Sequence, residues 1–250
     1  RGHGQSISTA TEVSDTLRGH YADQDGWNKV LADVEAHVQL IKADHPELPV
    51  LVYGHSMGSL ILQEYLIRHS SNIDGALLSG SNGKPDLMAK IGRWIIKFER
   101  SRCGRRSPSP LIEKLTTEDF NKVFKPNRSP KDWLSRDEQE VDKYIADPLC
   151  GFPCTTQLWA DLLDGIMAFS KPSRQLQIRK DIPLFVFSGA RDPVGMQSAG
   201  VKNLCDAYVS AGLSDVKYKL YADARHEMLN ETNRDEVHAD ILEWLTNHFG

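Results

Sequence analysis

The chain has 250 residues, of which 40% are hydrophobic and 26% charged, which suits one large domain or a core domain with an insertion. It carries 30 Lys and Arg against 34 Asp and Glu, and this net charge of -4 argues against nucleic acid as a partner. No apolar run reaches the roughly 18 residues that a membrane-spanning helix needs. The four cysteines form no C-x-x-C pair, so we expect reduced thiols in a cytoplasmic protein.

Helical and strand patterns alternate along both ends of the chain. Helices are predicted over residues 25–46 and 57–71 from their apolar spacing. A last helix over residues 233–249 has one apolar face, formed by Val237, Ile241, Trp244, Leu245 and Phe249. Short apolar runs predict four buried strands, at residues 49–54, 73–81, 181–193 and 216–228. Such alternation predicts an α/β fold, with a parallel sheet flanked by helices.

Residues 84–180 break this alternation. They are rich in Arg, Lys and Pro, and their pattern is mostly helical or irregular. We therefore predict a core formed by residues 1–83 and 181–250, and a helical cap inserted between two strands over residues 84–180.

A G-x-S-x-G pattern, "YGHSMGSLI", lies where the first predicted strand meets a helix. A tight strand-to-helix turn strains its central residue, Ser56, and presents the hydroxyl at the carboxyl end of the sheet. Gly54 and Gly58 would keep strand and helix from colliding on either side of His55 and Ser56. The backbone N–H of Met57 opens the helix and can donate to an oxyanion.

A serine hydroxyl needs a base, and His226 is the best placed of nine histidines because it follows the fourth predicted strand. Asp192 follows the third strand and is our candidate for the carboxylate that orients this imidazole. Asp223 is its rival, but it lies only three residues before His226 and more plausibly shapes the loop. The chain order Ser56, Asp192, His226 matches that of α/β hydrolases.

Four segments, "RGHGQS", "VYGHSMGS", "SGARDPVG" and "ARHEMLNE", resemble the monoacylglycerol lipase and lysophospholipase branch of the α/β-hydrolase superfamily, also described as serine-aminopeptidase-like. The resemblance extends from Arg1 to the last helix. It implies that Ser56 is the nucleophile, His226 the general base, Asp192 its partner and Met57 one oxyanion donor.

The start of the chain departs from the family pattern. In this family the segment that resembles "RGHGQS" follows several strands, and one of them ends in a His-Gly loop with the second oxyanion donor. We therefore expect the sequence to be truncated at its amino terminus, with the first strands of the fold outside it.

The segment "GRWIIKFERSRCGRR", residues 92–106, mixes basic and aromatic residues. Such a stretch can lie on an anionic membrane, which would make a cytoplasmic protein peripheral to the bilayer. The alternative, which we favour, is a plain cap helix with an apolar underside and a solvated basic face.

These observations predict a serine hydrolase that cleaves a carboxylic ester through an acyl-enzyme, with a monoacylglycerol or a lysophospholipid as substrate. No cofactor and no metal are implied. An aminopeptidase or amidase on the same triad is the alternative within enzymes. A non-catalytic binding protein that has kept the fold is the alternative outside them. The pattern leaves the oligomeric state open.

Overall fold

The computed structural model describes residues 1–8, 18–83, 85 and 87–250. Its sheet has four parallel strands in the order β1-β2-β3-β4, which confirms the predicted α/β class. Their bounds are Leu51–His55 (β1), Gly75–Ser79 (β2), Leu184–Gly189 (β3) and Val216–Tyr221 (β4). All four strands run the same way, so the segments that follow them meet at one edge of the sheet.

The two central strands are buried along their whole length, as predicted. The prediction of burial is wrong for β1 and β4, which are only partly buried because each pairs with a strand on one side only in the described sheet. Successive side chains point to opposite faces of the sheet. Leu78 and Val186 pack in one cluster, while Leu77 and Phe187 pack in another on the other side. The sheet therefore has a core on each face.

Helices cover both faces. Outside residues 84–180, the described chain has four long helices: Gly26–Asp44 (α2), Met57–His69 (α3), Ala199–Ser210 (α9) and Arg234–Phe249 (α10). A short helix at Gln5–Ser8 (α1) precedes them. The first three long helices contribute to one cluster and α10 to the other. The apolar face predicted for α10 is confirmed, with Val237 and Trp244 buried and its other members packed against them.

Residues 84–180, called the insert below, connect β2 to β3 and contain five α-helices in the described part of the chain. Their bounds are Leu87–Cys103 (α4), Pro110–Glu113 (α5), Glu138–Ala146 (α6), Thr156–Phe169 (α7) and Pro172–Gln175 (α8). Helix α7 packs into the main core through Leu158, Leu162 and Phe169. The insert is therefore attached to the core over the length of α7. That the insert acts as a cap is a proposal.

β1 and β4 are the outer strands of the described sheet. Beside β1 lies a groove of about 470 Å³, lined by apolar residues of α2 and β1 that include Val34, Val38 and Val52. That further strands precede Arg1 stays a prediction. Within the described residues, no helix combines the length and apolar character needed to cross a bilayer.

Candidate active site

Ser56 lies at a sharp turn between β1 and α3. Its φ of 50° and ψ of -119° are strained for a residue with a side chain, as predicted for the G-x-S-x-G turn at residues 54–58, which we call the elbow. The turn is pinned to the next strand, because the Ser56 N–H donates to the carbonyl of Ser79 at 2.9 Å. The hydroxyl is thus carried by a short, rigid connection at the carboxyl edge of the sheet.

The two glycines of the elbow have different surroundings. A Cβ on Gly54 would lie 2.7 Å from the carbonyl oxygen of Gly58, so only glycine fits at position 54. A Cβ on Gly58 would meet no described heavy atom within 4 Å. The expectation that both side chains must be absent is thus met at Gly54 only. The backbone of Gly58 lies close to Gly54, but a side chain at position 58 would have room.

Met57 is the first residue of α3, as predicted. The first N–H groups of an α-helix have no partner within the helix, and they lie at its positive end. The hydroxyl of Tyr21 donates to the sulfur of Met57 at 2.9 Å and holds this side chain in place. The amide expected to act as an oxyanion donor is therefore the first of α3, next to Ser56.

His226 and Asp192 are brought together by the loops after β4 and β3. The Nδ1 of His226 lies 2.9 Å from Oδ2 of Asp192, and both side chains are buried, with 1% and 0% of their surface exposed. Asp192 also accepts from the hydroxyl of Ser188 and the N–H of Val194. The predicted carboxylate thus contacts the predicted base.

The charges of this pair support each other. Burial would raise the pKa of Asp192, but His226 and the two other donors hold it below its ordinary value. Burial would likewise lower the pKa of His226, but Asp192 raises it above its ordinary value. The geometry favours an anionic Asp192 that stabilises a proton on His226.

The imidazole of His226 lies beside the elbow. Its ring centroid is 4.7 Å from that of His55, which directly precedes Ser56. Gly80, with φ of 56°, makes room for it, because a Cβ there would lie 2.8 Å from Cε1 of His226. In the described part of the chain, the buried Nε2 of His226 has no hydrogen-bond partner. One nitrogen is thus engaged by Asp192, and the other is available.

Asp223 is placed elsewhere. It is exposed, with φ of 59° in the turn that follows β4, where it shapes the loop as expected. His226 Nδ1 is contacted by Asp192 instead.

Three residues near His226 were missed by sequence reasoning. The ring of Trp133, in the insert, lies 4.9 Å from the imidazole and 5.1 Å from Phe120. Gly80 was passed over inside the strand pattern. Glu227 was unassigned, and its carboxylate lies 3.2 Å from Nε2 of His55. For Gly80 alone a signal existed, since a glycine directly after a buried strand often marks a close approach.

An apolar pocket of about 280 Å³ lies between α3, the loop after β3 and the insert. It begins one turn along α3 from the elbow, and its apolar lining includes Leu60, Phe120, Leu163, Ile166, Val194 and Met196. Its size is close to the lower end of the range for small-molecule sites, about 300–1,000 Å³. Phe120 and Val194 also pack in the cluster of Trp133, so the pocket adjoins the surroundings of His226.

The sequence model of the family described as "Serine aminopeptidase, S33" matches residues 1–233. A monoacylglycerol lipase of Mycolicibacterium smegmatis is 26% identical over 249 residues, which covers 99% of this chain and 76% of that protein. A monoglyceride lipase of Homo sapiens is 27% identical over 258 residues, covering 98% and 70%.

Two solved structures have the same fold. A carboxyl esterase from Bacillus coagulans superposes with a TM-score of 0.89 at 23% identity, over 100% of this chain and 79% of that one. A soluble variant of the monoglyceride lipase from Saccharomyces cerevisiae gives 0.70 at 20% identity, over 100% and 76%. The family match covers most of the chain and the fold agrees with it, so the protein belongs to the serine aminopeptidase S33 family of the α/β hydrolases.

Proposed function

We propose that this protein hydrolyses carboxylic esters with a triad of Ser56, His226 and Asp192. One observation carries the proposal: a fully buried imidazole is held at Nδ1 by a buried carboxylate, and its Nε2 is unpartnered among the described residues beside a strained serine turn. A buried nitrogen without a partner is costly, so its retention beside the elbow favours a role in proton transfer.

In this mechanism Ser56 Oγ attacks the ester carbonyl while His226 Nε2 takes the hydroxyl proton. Asp192 keeps the other nitrogen protonated and stabilises the imidazolium. The Met57 N–H donates to the oxyanion that forms. His226 then gives its proton to the departing alcohol, which leaves an acyl-enzyme on Ser56. Water, activated by the same imidazole, releases the acid and restores the serine.

The proposed substrate is a monoacylglycerol or a lysophospholipid. Relatives named for monoacylglycerol and monoglyceride hydrolysis support this class. So does the apolar pocket beside α3, which would accept an acyl chain. In this proposal the insert is a cap, because Phe120, Leu163 and Ile166 form its side of the pocket.

An aminopeptidase or amidase is the second candidate, and the description of the matching family favours it. An aminopeptidase would need a free carboxylate to bind the substrate's amino terminus. Glu227 is a carboxylate near His226, but it is paired with His55. We therefore rank aminopeptidase activity below ester hydrolysis.

We also propose that residues 92–106 contact an anionic membrane. Trp94 and Phe98 are exposed at 74% and 65%, whereas Ile96 of the same helix is buried against other residues of the insert, Ile112 and Ala160. The apolar side chains of α4 therefore point in two directions, and a plain cap helix would need only the inward one. Basic residues flank the outward pair, and Lys97 lies 6.0 Å from the Trp94 ring.

The experiment is an activity panel on the purified chain. Monoacylglycerols and lysophospholipids of several chain lengths are compared with aminoacyl amides, and Ser56→Ala is the control. Ester cleavage that disappears in Ser56→Ala supports the proposal. Amide cleavage with little ester cleavage favours the aminopeptidase. The absence of both, in a folded protein, favours the non-catalytic binding protein.

A further inference from the structure

The loop that carries His226 is held by a segment of the insert. We call this segment, residues 132–136, the clamp. The backbone N–H groups of His226 and Glu227 both donate to the carbonyl of Leu134, at 3.0 and 2.7 Å. The catalytic base is thus fixed by an acceptor far earlier in the chain, as well as by its own strand.

Charged groups reinforce this contact. The guanidinium of Arg225 donates to the clamp carbonyls of Asp132, at 2.5 Å, and Ser135, at 3.0 Å. Glu231 is fully buried, and its carboxylate accepts from the N–H of Arg225 and from both the N–H and Nε of Arg136. One carboxylate therefore joins the residue that precedes His226 to the clamp. A buried ion that loses its partner is strongly unfavourable, so the contact resists opening.

The clamp also contacts the imidazole itself. Trp133 is buried, and its ring lies 4.9 Å from that of His226. His55 contacts the same imidazole at 4.7 Å. Rotation of the imidazole away from Asp192 would have to displace one of these rings.

We propose that the clamp is a positioning device for the catalytic base, with Arg136, Glu231 and Trp133 as positioning residues. The proposal rests on the proposed function, because it assigns His226 as the base. It has a consequence for the insert. The insert cannot lift as one body during catalysis, because residues 132–136 must stay on the core while other parts admit the substrate.

The test compares Arg136→Ala and Glu231→Gln with the matched control Arg128→Ala. Arg128 belongs to the same part of the insert, but its guanidinium pairs with Asp142 inside the insert. Because a misplacement of about 1 Å can cost about 10²-fold, we expect both clamp variants to lose roughly 10- to 100-fold in kcat with little change in KM. Labelling of Ser56 by a fluorophosphonate should slow by the same factor, and Arg128→Ala should match the wild type.

Hydrogen exchange supplies a readout that does not depend on turnover. The amides of His226 and Glu227 should exchange faster in Arg136→Ala than in Arg128→Ala, while the amide of Ser56 stays protected. Trp133→Phe, which keeps a ring beside His226, should retain more activity than Trp133→Leu. If Arg136→Ala and Glu231→Gln fold poorly, this pair of variants tests the clamp instead.

Two results would overturn the clamp. One is equal kcat and equal exchange for Arg136→Ala and Arg128→Ala. The other is faster exchange in Arg136→Ala with unchanged turnover, since the base would then be held without the clamp. A wild-type protein without Ser56-dependent hydrolysis contradicts the proposed function instead, and the exchange comparison still decides whether the clamp holds the His226 loop.

Discussion

The elbow and the His226 loop are held in place by different means. Ser56 is fixed by its neighbours in sequence, β1 before it and α3 after it, with one bond to the adjacent strand. The His226 loop is fixed by residues of the insert, through the carbonyl of Leu134 and the ion pair of Glu231 with Arg136. The proposed nucleophile therefore depends on local structure, whereas the proposed base depends on long-range contacts. Changes in the insert should affect the base first.

The largest effect should come from Asp192, on the side of the base. Asp192→Asn removes the charge that holds the Nδ1 proton, and in a serine protease the equivalent loss costs about 10⁴ in turnover. We expect a loss of that order, measured as kcat at saturating ester, with the fold retained. Asp223→Asn is the control and should be close to wild type. If Asp223→Asn were the more damaging change, our assignment of the carboxylate would be wrong.

The elbow offers a matched pair of glycines. Gly54→Ala places a Cβ 2.7 Å from a backbone oxygen, so we expect destabilisation by about 1–3 kcal/mol and a disturbed Ser56. Gly58→Ala meets no described atom within 4 Å and should be neutral or stabilising, by at most about 1 kcal/mol. Thermal unfolding of both variants measures this difference. Equal losses at the two positions would contradict the local account of the elbow.

This contrast also explains what the sequence could predict. The four strands, the face of α10 and the elbow follow from short patterns, because neighbouring residues determine them. His226 and Asp192 could be placed because each follows a strand whose end lies at a common edge. Trp133 and Arg136 could not, because nothing in "DWLSRD" tells which loop it will contact. The approach of Gly80 to His226 likewise depends on two distant segments.

A smaller effect should appear in the pH dependence. Burial lowers the pKa of His226, but Asp192 and, to a lesser extent, Glu227 raise it above its ordinary value. The base must be neutral to accept a proton, so kcat/KM should fall as the pH drops through this raised pKa. Glu227→Gln removes one negative charge next to His226 and should therefore lower the pKa of His226. The other groups that face this imidazole are Asp192 and the ring of His55. The acid limb should therefore move to lower pH.

The control for this shift is Glu47→Gln, an exposed residue in the loop after α2. It should leave the acid limb in place. An acid limb that stays in place or moves to higher pH in Glu227→Gln would contradict this role of Glu227.

The smallest effect on chemistry should come from the outer face of α4, which carries the proposed membrane contact. Replacing Trp94 and Phe98 by Ala should weaken binding to anionic vesicles by at least about tenfold, since a buried aromatic contributes about 1.5–3 kcal/mol. Added salt should weaken the wild type too, because each basic residue contributes about 1 kcal/mol near an anionic surface and is screened. Turnover of a soluble short-chain ester should not change. Vesicle binding that is absent, or indifferent to salt, would support the plain cap helix.

The central claim is that Ser56 is activated by His226, and labelling with a fluorophosphonate tests it most directly. Intact-protein and peptide mass spectrometry would locate and time the adduct in the wild type, in Ser56→Ala and in Asp192→Asn. The account predicts a single adduct on Ser56, its complete loss in Ser56→Ala and much slower formation in Asp192→Asn. An adduct that persists in Ser56→Ala, or a wild-type protein that forms none, would contradict it.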